Sequence, residues 1–211
     1  MTKIFLLRHA QTADVTKFHG SESDIGLSAW GHEQSQRLAD LFADIKIDLV
    51  YSSAMRRAID TALPLTKRKG LGLIQVGALH ERSMGELAGA CREEFRHIYT
   101  KAMDEWSAGN LDFTHPTGES YRQMQVRGVP ALRNIAEQHS GKSVVVVSHG
   151  MLIRVLLASM VRGMSFAELH NIKIDNVAVN ELVWDGKMFD AVTLYQLPDN
   201  LRNPPDDKPF W

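Results

Sequence analysis

Four short apolar runs, each closed by polar residues, alternate with helical patterns along the chain. Ile4–Leu7 and Val144–Val147 read as buried strands of a parallel sheet, and Leu49–Tyr51 and Leu73–Val76 as two further strands. Ser28 is placed to N-cap a helix from Ala29 to about Ala43, with Leu38, Leu41 and Phe42 on its apolar face. A second helix starts near Ala54, with Met55, Ala58, Ile59, Ala62 and Leu63 at helical spacing. Pro64 is expected to kink or shorten it. Ser120 and Gln123 form a capping-box pattern for a helix running towards His139, interrupted by Pro130. Another helix runs from Met151 to about Val161. Ala178–Trp184 and Met188–Leu194 flank Asp185-Gly186, a hairpin turn signal.

Two stretches lack a period. Ala10–Ile25 reads as a loop, and residues 77 to 118 as an excursion with short helices, of which about 82–118 would cover the site. After Leu197 the chain carries Pro198, Pro204, Pro205 and Pro209. The pattern predicts a three-layer α/β sandwich with a mostly parallel central sheet between helices. A single domain is expected over 1–197, with an irregular tail over 198–211 in which Phe210-Trp211 pack loosely.

Bulk numbers narrow the classes. The chain has 211 residues and 44% hydrophobic content, enough for one sizeable core. A formal net charge of -1 gives no global field for nucleic acid or anionic membrane, so neither is expected as a partner. Cys91 is the one cysteine, which excludes an internal disulfide and a cysteine zinc cage. The apolar stretch near the N-terminus is too short for a signal segment or a span, so the cytoplasm is the expected compartment.

Two of the predicted strands end on histidines: Arg8-His9 follows the first, and Ser148-His149-Gly150 follows the fourth. In a parallel sheet the ligand crevice lies outside the carboxyl ends of the strands, so both imidazoles reach one edge. The second strand leads into a helix bearing Arg56 and Arg57, and the third is followed by Glu81. Arg8, His9, Arg57, Glu81 and His149 together suit a phosphoryl group. Guanidinium forks bind its oxygens, a neutral imidazole can attack phosphorus, and a carboxylic acid can protonate the departing alkoxide.

Five ordered blocks carry a resemblance. Leu7-Arg8-His9-Ala10-Gln11-Thr12 resembles the Arg-His-Gly-Glu-Thr signature of the histidine phosphatase superfamily, which includes the cofactor-dependent phosphoglycerate mutases. Asp24–Ser28 with Gly31 and Gln34, Ser52–Ala62, Leu79–Glu81 with Gly85 and Gly89, and Val147–Gly150 resemble its other blocks in order. The resemblance implies that His9 is the nucleophile and forms a phosphohistidine. Arg8, Arg57 and His149 would hold the phosphoryl oxygens, and Glu81 would act as general acid and then base. No metal and no cofactor are implied.

Further residues are candidates for substrate or phosphate contact: His19, Gly20, Gly150 and Thr12, whose alternative is to cap its own loop. Arg92, Arg96 and Lys101 form a solvated face or read a second anionic group. Arg56 and Arg82 are expected at the surface. His32, His80, His97, His115, His139 and His170 are expected to be structural or exposed, and Glu119 to help start the next helix. Ala10, Val15 and Leu87-Ala88 depart from the family pattern at the pocket wall.

The expected activity is metal-independent hydrolysis of a small phosphorylated metabolite. The alternatives are a cofactor-dependent phosphoglycerate mutase, a protein phosphatase and a non-catalytic phospholigand-binding member. No Arg-Arg pair occurs between Glu81 and His149, which favours the phosphatase. The oligomeric state stays open.

Overall fold

The computed structural model describes residues 1–203. Six strands form one sheet: β1 (Thr2–Arg8), β2 (Leu49–Ser53), β3 (Leu73–Val76), β4 (Ser143–Ser148), β5 (Val179–Trp184) and β6 (Phe189–Gln196). Their spatial order is β3-β2-β4-β1-β5-β6. The pairs β1–β4, β2–β4 and β2–β3 are parallel, whereas β1–β5 and β5–β6 are antiparallel. The sheet is therefore mixed: the parallel strands β3-β2-β4-β1, which the strand–helix alternation predicts, run in from one edge, and the antiparallel β5 and β6 complete the other.

Alternation along the strands divides the core. Ile4, Leu6, Val144 and Val146 face one side, packed with α3 (Arg96–Ser107), α4 (Tyr121–Gln138) and α5 (Gly150–Met160). Phe5, Leu7, Val145 and Val147 face the other, against α1 (Ala29–Leu41) and α2 (Arg56–Lys69). Strands covered on both faces read as continuous apolar runs, which is why β1 and β4 are legible in the sequence.

Local signals act as expected at several ends. The Ser28 hydroxyl accepts from the Gly31 amide at 2.9 Å, and Ser120 with Gln123 completes its capping box. Asp185 Oδ1 accepts from the Lys187 and Met188 amides, and Gly186 takes φ 104°, which closes the hairpin. Gly31 has a different reason. A Cβ there would lie 2.0 Å from the Gln11 carbonyl oxygen, so only glycine lets α1 sit against the loop after β1.

Other expectations are corrected. Neither Pro64 nor Pro130 ends its helix; both lie inside, and Pro130 sits on the exposed face where a freed carbonyl meets water. Leu41 and Leu63 are exposed, and Leu65 fills the core position instead. The excursion after β3 holds short helices as expected, among them the three-turn α3, whose Trp106 is fully buried. The stretch directly after Leu197 is ordered rather than irregular. Asp199–Leu201 form a 3-10 turn, and Leu201 is buried, its carbonyl accepting from Gln34 Nε2 at 2.7 Å. Pro204, Pro205, Pro209 and Phe210-Trp211 lie outside the described residues. Among the described residues no helix is long and apolar enough to cross a membrane.

Candidate active site

The register of β1 and β4 builds the centre. Arg8 is paired with Ser148, so His9 and His149 leave adjacent strands side by side, and the His9 amide donates to the Ser148 carbonyl at 2.9 Å. Their ring centroids are 5.1 Å apart. His9 Nδ1 lies 2.7 Å from the Ala10 carbonyl oxygen, an atom that only accepts. The ring therefore donates from Nδ1, and its Nε2 carries the lone pair. His149 is the reverse. Its Nδ1 accepts from Arg57 Nε at 3.2 Å, so its Nε2 carries the hydrogen, and that buried Nε2 has no protein partner.

Arg57 stands in the first turn of α2, whose start is fixed from a distance: Asp24 Oδ1 accepts from the Arg56 amide at 3.0 Å. The Arg57 guanidinium also donates to the carbonyls of Ser23 (2.8 Å), Gly20 (3.2 Å) and His19 (3.3 Å). Arg8 donates from Nη1 to the Ile174 carbonyl at 2.7 Å. Both arginines are buried, and the cost is visible in their acidity. Burial and the neighbouring charge of Arg92 push Arg8 down to about 9, and burial pushes Arg57 down to about 10. Burial, with Arg57 and Arg8 beside it, drives His9 well below the usual histidine range; burial, Arg57 and His9 do the same to His149. Both imidazoles are neutral at pH 7. The centre is a desolvated concentration of positive charge and N–H donors, which is what a dianion stabilises.

Glu81 arrives from the loop after β3. Its Oε1 accepts from the Arg82 amide (2.8 Å) and the Leu152 amide (3.2 Å), and its Oε2 from the Met151 amide (3.1 Å). The carboxyl group thus sits on the N-terminus of α5, oriented by three backbone amides. A narrow pocket opens over this centre, lined by Arg8, Phe18, His19, Glu81, Arg82, Met84, Arg92, Tyr99, Gly150 and Met151.

The remaining candidates separate. His19 lines the pocket and bonds from Nε2 to the Asp14 carbonyl at 2.7 Å. Gly150 lines it too; a Cβ there would meet Arg8 Nε at 3.3 Å. Gly20 contributes its carbonyl to Arg57 and passes close to the Arg82 backbone, whose carbonyl oxygen would lie 2.8 Å from a Cβ. The Thr12 hydroxyl donates to the Asp14 carbonyl, at 3.3 Å, within its own loop. Of Arg92, Arg96 and Lys101, Arg92 lines the pocket. Arg96 and Lys101 lie on the outer side of α3 with His97 and Asp104.

Arg82 is the clear correction. Expected at the surface, it is 1% exposed, stacked 4.6 Å over the Trp106 ring, with Nε donating to the Glu119 carbonyl. His115 is buried beside it, and Arg56 is exposed as expected. Sequence reasoning missed Arg127. Its guanidinium reaches the carbonyls of Ala78, His80 and Glu81 and pairs with Glu119 at 2.6 Å, clamping the loop that presents Glu81. Glu119 therefore acts across the fold as well as beside its helix. The signal was one arginine inside an amphipathic helix, indistinguishable there from a solvated one. Phe18, Met84 and Tyr99 were missed for the same reason: nothing local marks a pocket wall. Among the described residues no group of three or more His, Cys, Asp or Glu could hold a metal ion.

The geometry has counterparts. A solved phosphoserine phosphatase from Entamoeba histolytica, in complex with 3-phosphoglyceric acid, shares the fold with a TM-score of 0.82 at 22% identity, over 95% of this chain and 100% of that one. The chain is 32% identical over 190 residues to a metal-independent phosphoserine phosphatase of Arabidopsis thaliana, covering 87% of this chain and 79% of the relative. It is 33% identical over 158 residues to phosphoglycerate mutase-like protein 4 of the same plant, covering 73% and 69%. The family model of the histidine phosphatase superfamily (branch 1) matches residues 4–196. With two strand-end histidines, two buried arginines and a glutamate arranged in that frame, the chain belongs to the histidine phosphatase superfamily.

Proposed function

We propose that the protein is a phosphomonoesterase that works through His9 without a metal ion, on a small phosphorylated metabolite. The observation that carries this reading is the orientation of His9: Nδ1 is engaged by the Ala10 carbonyl, which leaves the Nε2 lone pair for attack. In the first step Nε2 bonds to phosphorus as the ester P–O bond breaks. Glu81, carrying a proton, delivers it to the departing alkoxide. Arg8, Arg57 and the His149 Nε2–H take the three equatorial oxygens, whose charge is held by donors already in place. In the second step Glu81 removes a proton from water, the water oxygen bonds to phosphorus, and the N–P bond breaks to free inorganic phosphate and neutral His9.

The relatives named for phosphoserine, and the neighbour solved with 3-phosphoglyceric acid, support a small anionic substrate. The pocket agrees in charge, with Arg92 on its wall beside the aromatic rings of Phe18 and Tyr99. The test is phosphate release from phosphoserine, 3-phosphoglycerate, phosphosugars and nucleoside monophosphates in excess chelator. Release from one or a few of these, lost in His9→Ala, is the expected result. Isomerisation of 3-phosphoglycerate after priming with a bisphosphoglycerate, without phosphate release, would move the assignment to a mutase.

A further inference from the structure

Five consecutive backbone polar groups around the nucleophile each have a partner. The His9 amide is held by Ser148, the Ala10 amide donates to Thr61 Oγ1 at 2.9 Å, and the Ala10 carbonyl takes the His9 ring. The other two, the His9 carbonyl and the Gln11 amide, are the two ends of one chain of side-chain amides. The Gln11 amide donates to Gln34 Oε1 at 2.9 Å. Gln34 Nε2 donates to Asn203 Oδ1 at 2.9 Å. Asn203 Nδ2 donates to Asn176 Oδ1 at 3.1 Å, and Asn176 Nδ2 donates to the His9 carbonyl at 2.9 Å.

The direction of this chain is set at both ends. A backbone N–H can only donate and a carbonyl can only accept, so every amide between them must present oxygen to one neighbour and nitrogen to the next. An Asn or Gln side chain fills such a position with one atom for each bond. Gln34 is fully buried and Asn176 nearly so, and buried amides joined in this way act as one unit. Asn203 is the link contributed by the C-terminal segment, seated there by Leu201 in the core and by the Gln34 bond to its carbonyl.

We infer that Gln34, Asn203 and Asn176 form a positioning relay that holds residues 9–11, and with them the reactive nitrogen of His9, so that the segment 198–203 is part of the catalytic apparatus. The inference rests on the reading of His9 as the nucleophile. Its physical basis is that a phosphoryl acceptor must be held in near-attack geometry, and the ring is tied to a carbonyl whose own residue is tied through this relay. Asn203→Asp keeps size and the bond from Gln34 but faces the Asn176 oxygen with an acceptor, which breaks the direction of the chain at one atom.

The experiment compares wild type, Asn203→Asp and Asn203→Ala in hydrolysis of p-nitrophenyl phosphate in excess chelator. Melting temperature and the His9 ring tautomer, read by long-range 1H–15N correlation, are measured on the same samples. The expected result is a kcat lower by about tenfold in both variants, with KM within about twofold. The single Nδ1–H tautomer of His9 should give way to a mixture, while melting changes little. Wild-type kcat in both variants overturns the inference. So does a kcat loss that follows melting temperature while the tautomer stays single, since that marks a purely structural bond set. If wild type releases no phosphate, the phosphatase reading fails on its own, and the tautomer comparison still decides the relay.

Discussion

Arg57 donates from Nε to Nδ1 of His149 across 3.2 Å, and this one bond decides what the second histidine can do. It places the remaining ring hydrogen on Nε2, so His149 enters the centre as a neutral donor. His9, tied through its own Nδ1 to a carbonyl, enters as a neutral base. Two identical side chains acquire opposite roles from which ring nitrogen each has engaged.

The burial of both rings sets the pH dependence. Each is held well below the ordinary value of 6.5, chiefly by desolvation and then by neighbouring cations. Activity should stay level as pH falls through 6.5 and decline only further down, where His9 gains its proton. Stability has the same sign. The unfolded chain binds protons at these histidines below 6.5 while the folded one does not. Their contribution is complete above 6.5 and is lost as pH falls towards the folded values. Urea titrations between pH 7.5 and 4.5 read this; His149→Gln should flatten the decline, and an unchanged slope would refute it.

Oxyanions should stabilise the protein strongly. Phosphate or vanadate would bring counter-charge to Arg8 and Arg57, whose guanidinium groups are held down chiefly by burial and further by Arg92. Saturation at 100 times Kd adds about 2.7 kcal/mol by mass action. Thermal unfolding with increasing vanadate checks this. Arg57→Gln should abolish the shift, and a shift equal to wild type in that variant would place the anion elsewhere.

Glu81→Gln separates proton delivery from nucleophilic attack. With an alkyl phosphate the variant should lose about 10²–10⁴-fold in kcat, the usual worth of a general acid. With p-nitrophenyl phosphate the leaving group needs no proton, so formation of the phosphoenzyme should be nearly unaffected and its hydrolysis slow. A burst of nitrophenolate followed by a slow phase is the signature. An equal loss in the rate of phosphoenzyme formation with both esters, seen as a missing burst, would remove Glu81 from the acid role.

Gly31→Ala tests how tightly the loop after β1 is packed. The added methyl would meet the Gln11 carbonyl oxygen at 2.0 Å, so backbone must move. Overpacking of this kind costs about 1–3 kcal/mol, and the disturbed residue borders His9. A lower melting temperature together with a lower kcat is expected; a variant as stable as wild type would show that α1 shifts freely.

The chain's own pattern determined the strands, their parallel pairing and the meeting of His9, His149, Arg8 and Arg57 at one sheet edge. Strands buried on both faces leave continuous apolar runs, and the polar residues that end them are read directly off the sequence. Ser28, Ser120 and Asp185 were equally legible, because caps and tight turns are made by neighbours in the chain. Tertiary structure decided the rest. Arg82 and Arg127 are spaced like surface residues, and only the loop folded over Trp106 and the carbonyls after β3 turn them inward. Pro64 and Pro130 stay inside helices because packing outweighs one lost hydrogen bond. Asn176 and Asn203 resemble ordinary loop asparagines until the fold brings Asn176 to the His9 carbonyl, 167 residues away in sequence, and Asn203 to Asn176. Local chemistry is written in adjacent residues, whereas a pocket wall or a long-range amide relay exists only once distant segments have been packed together.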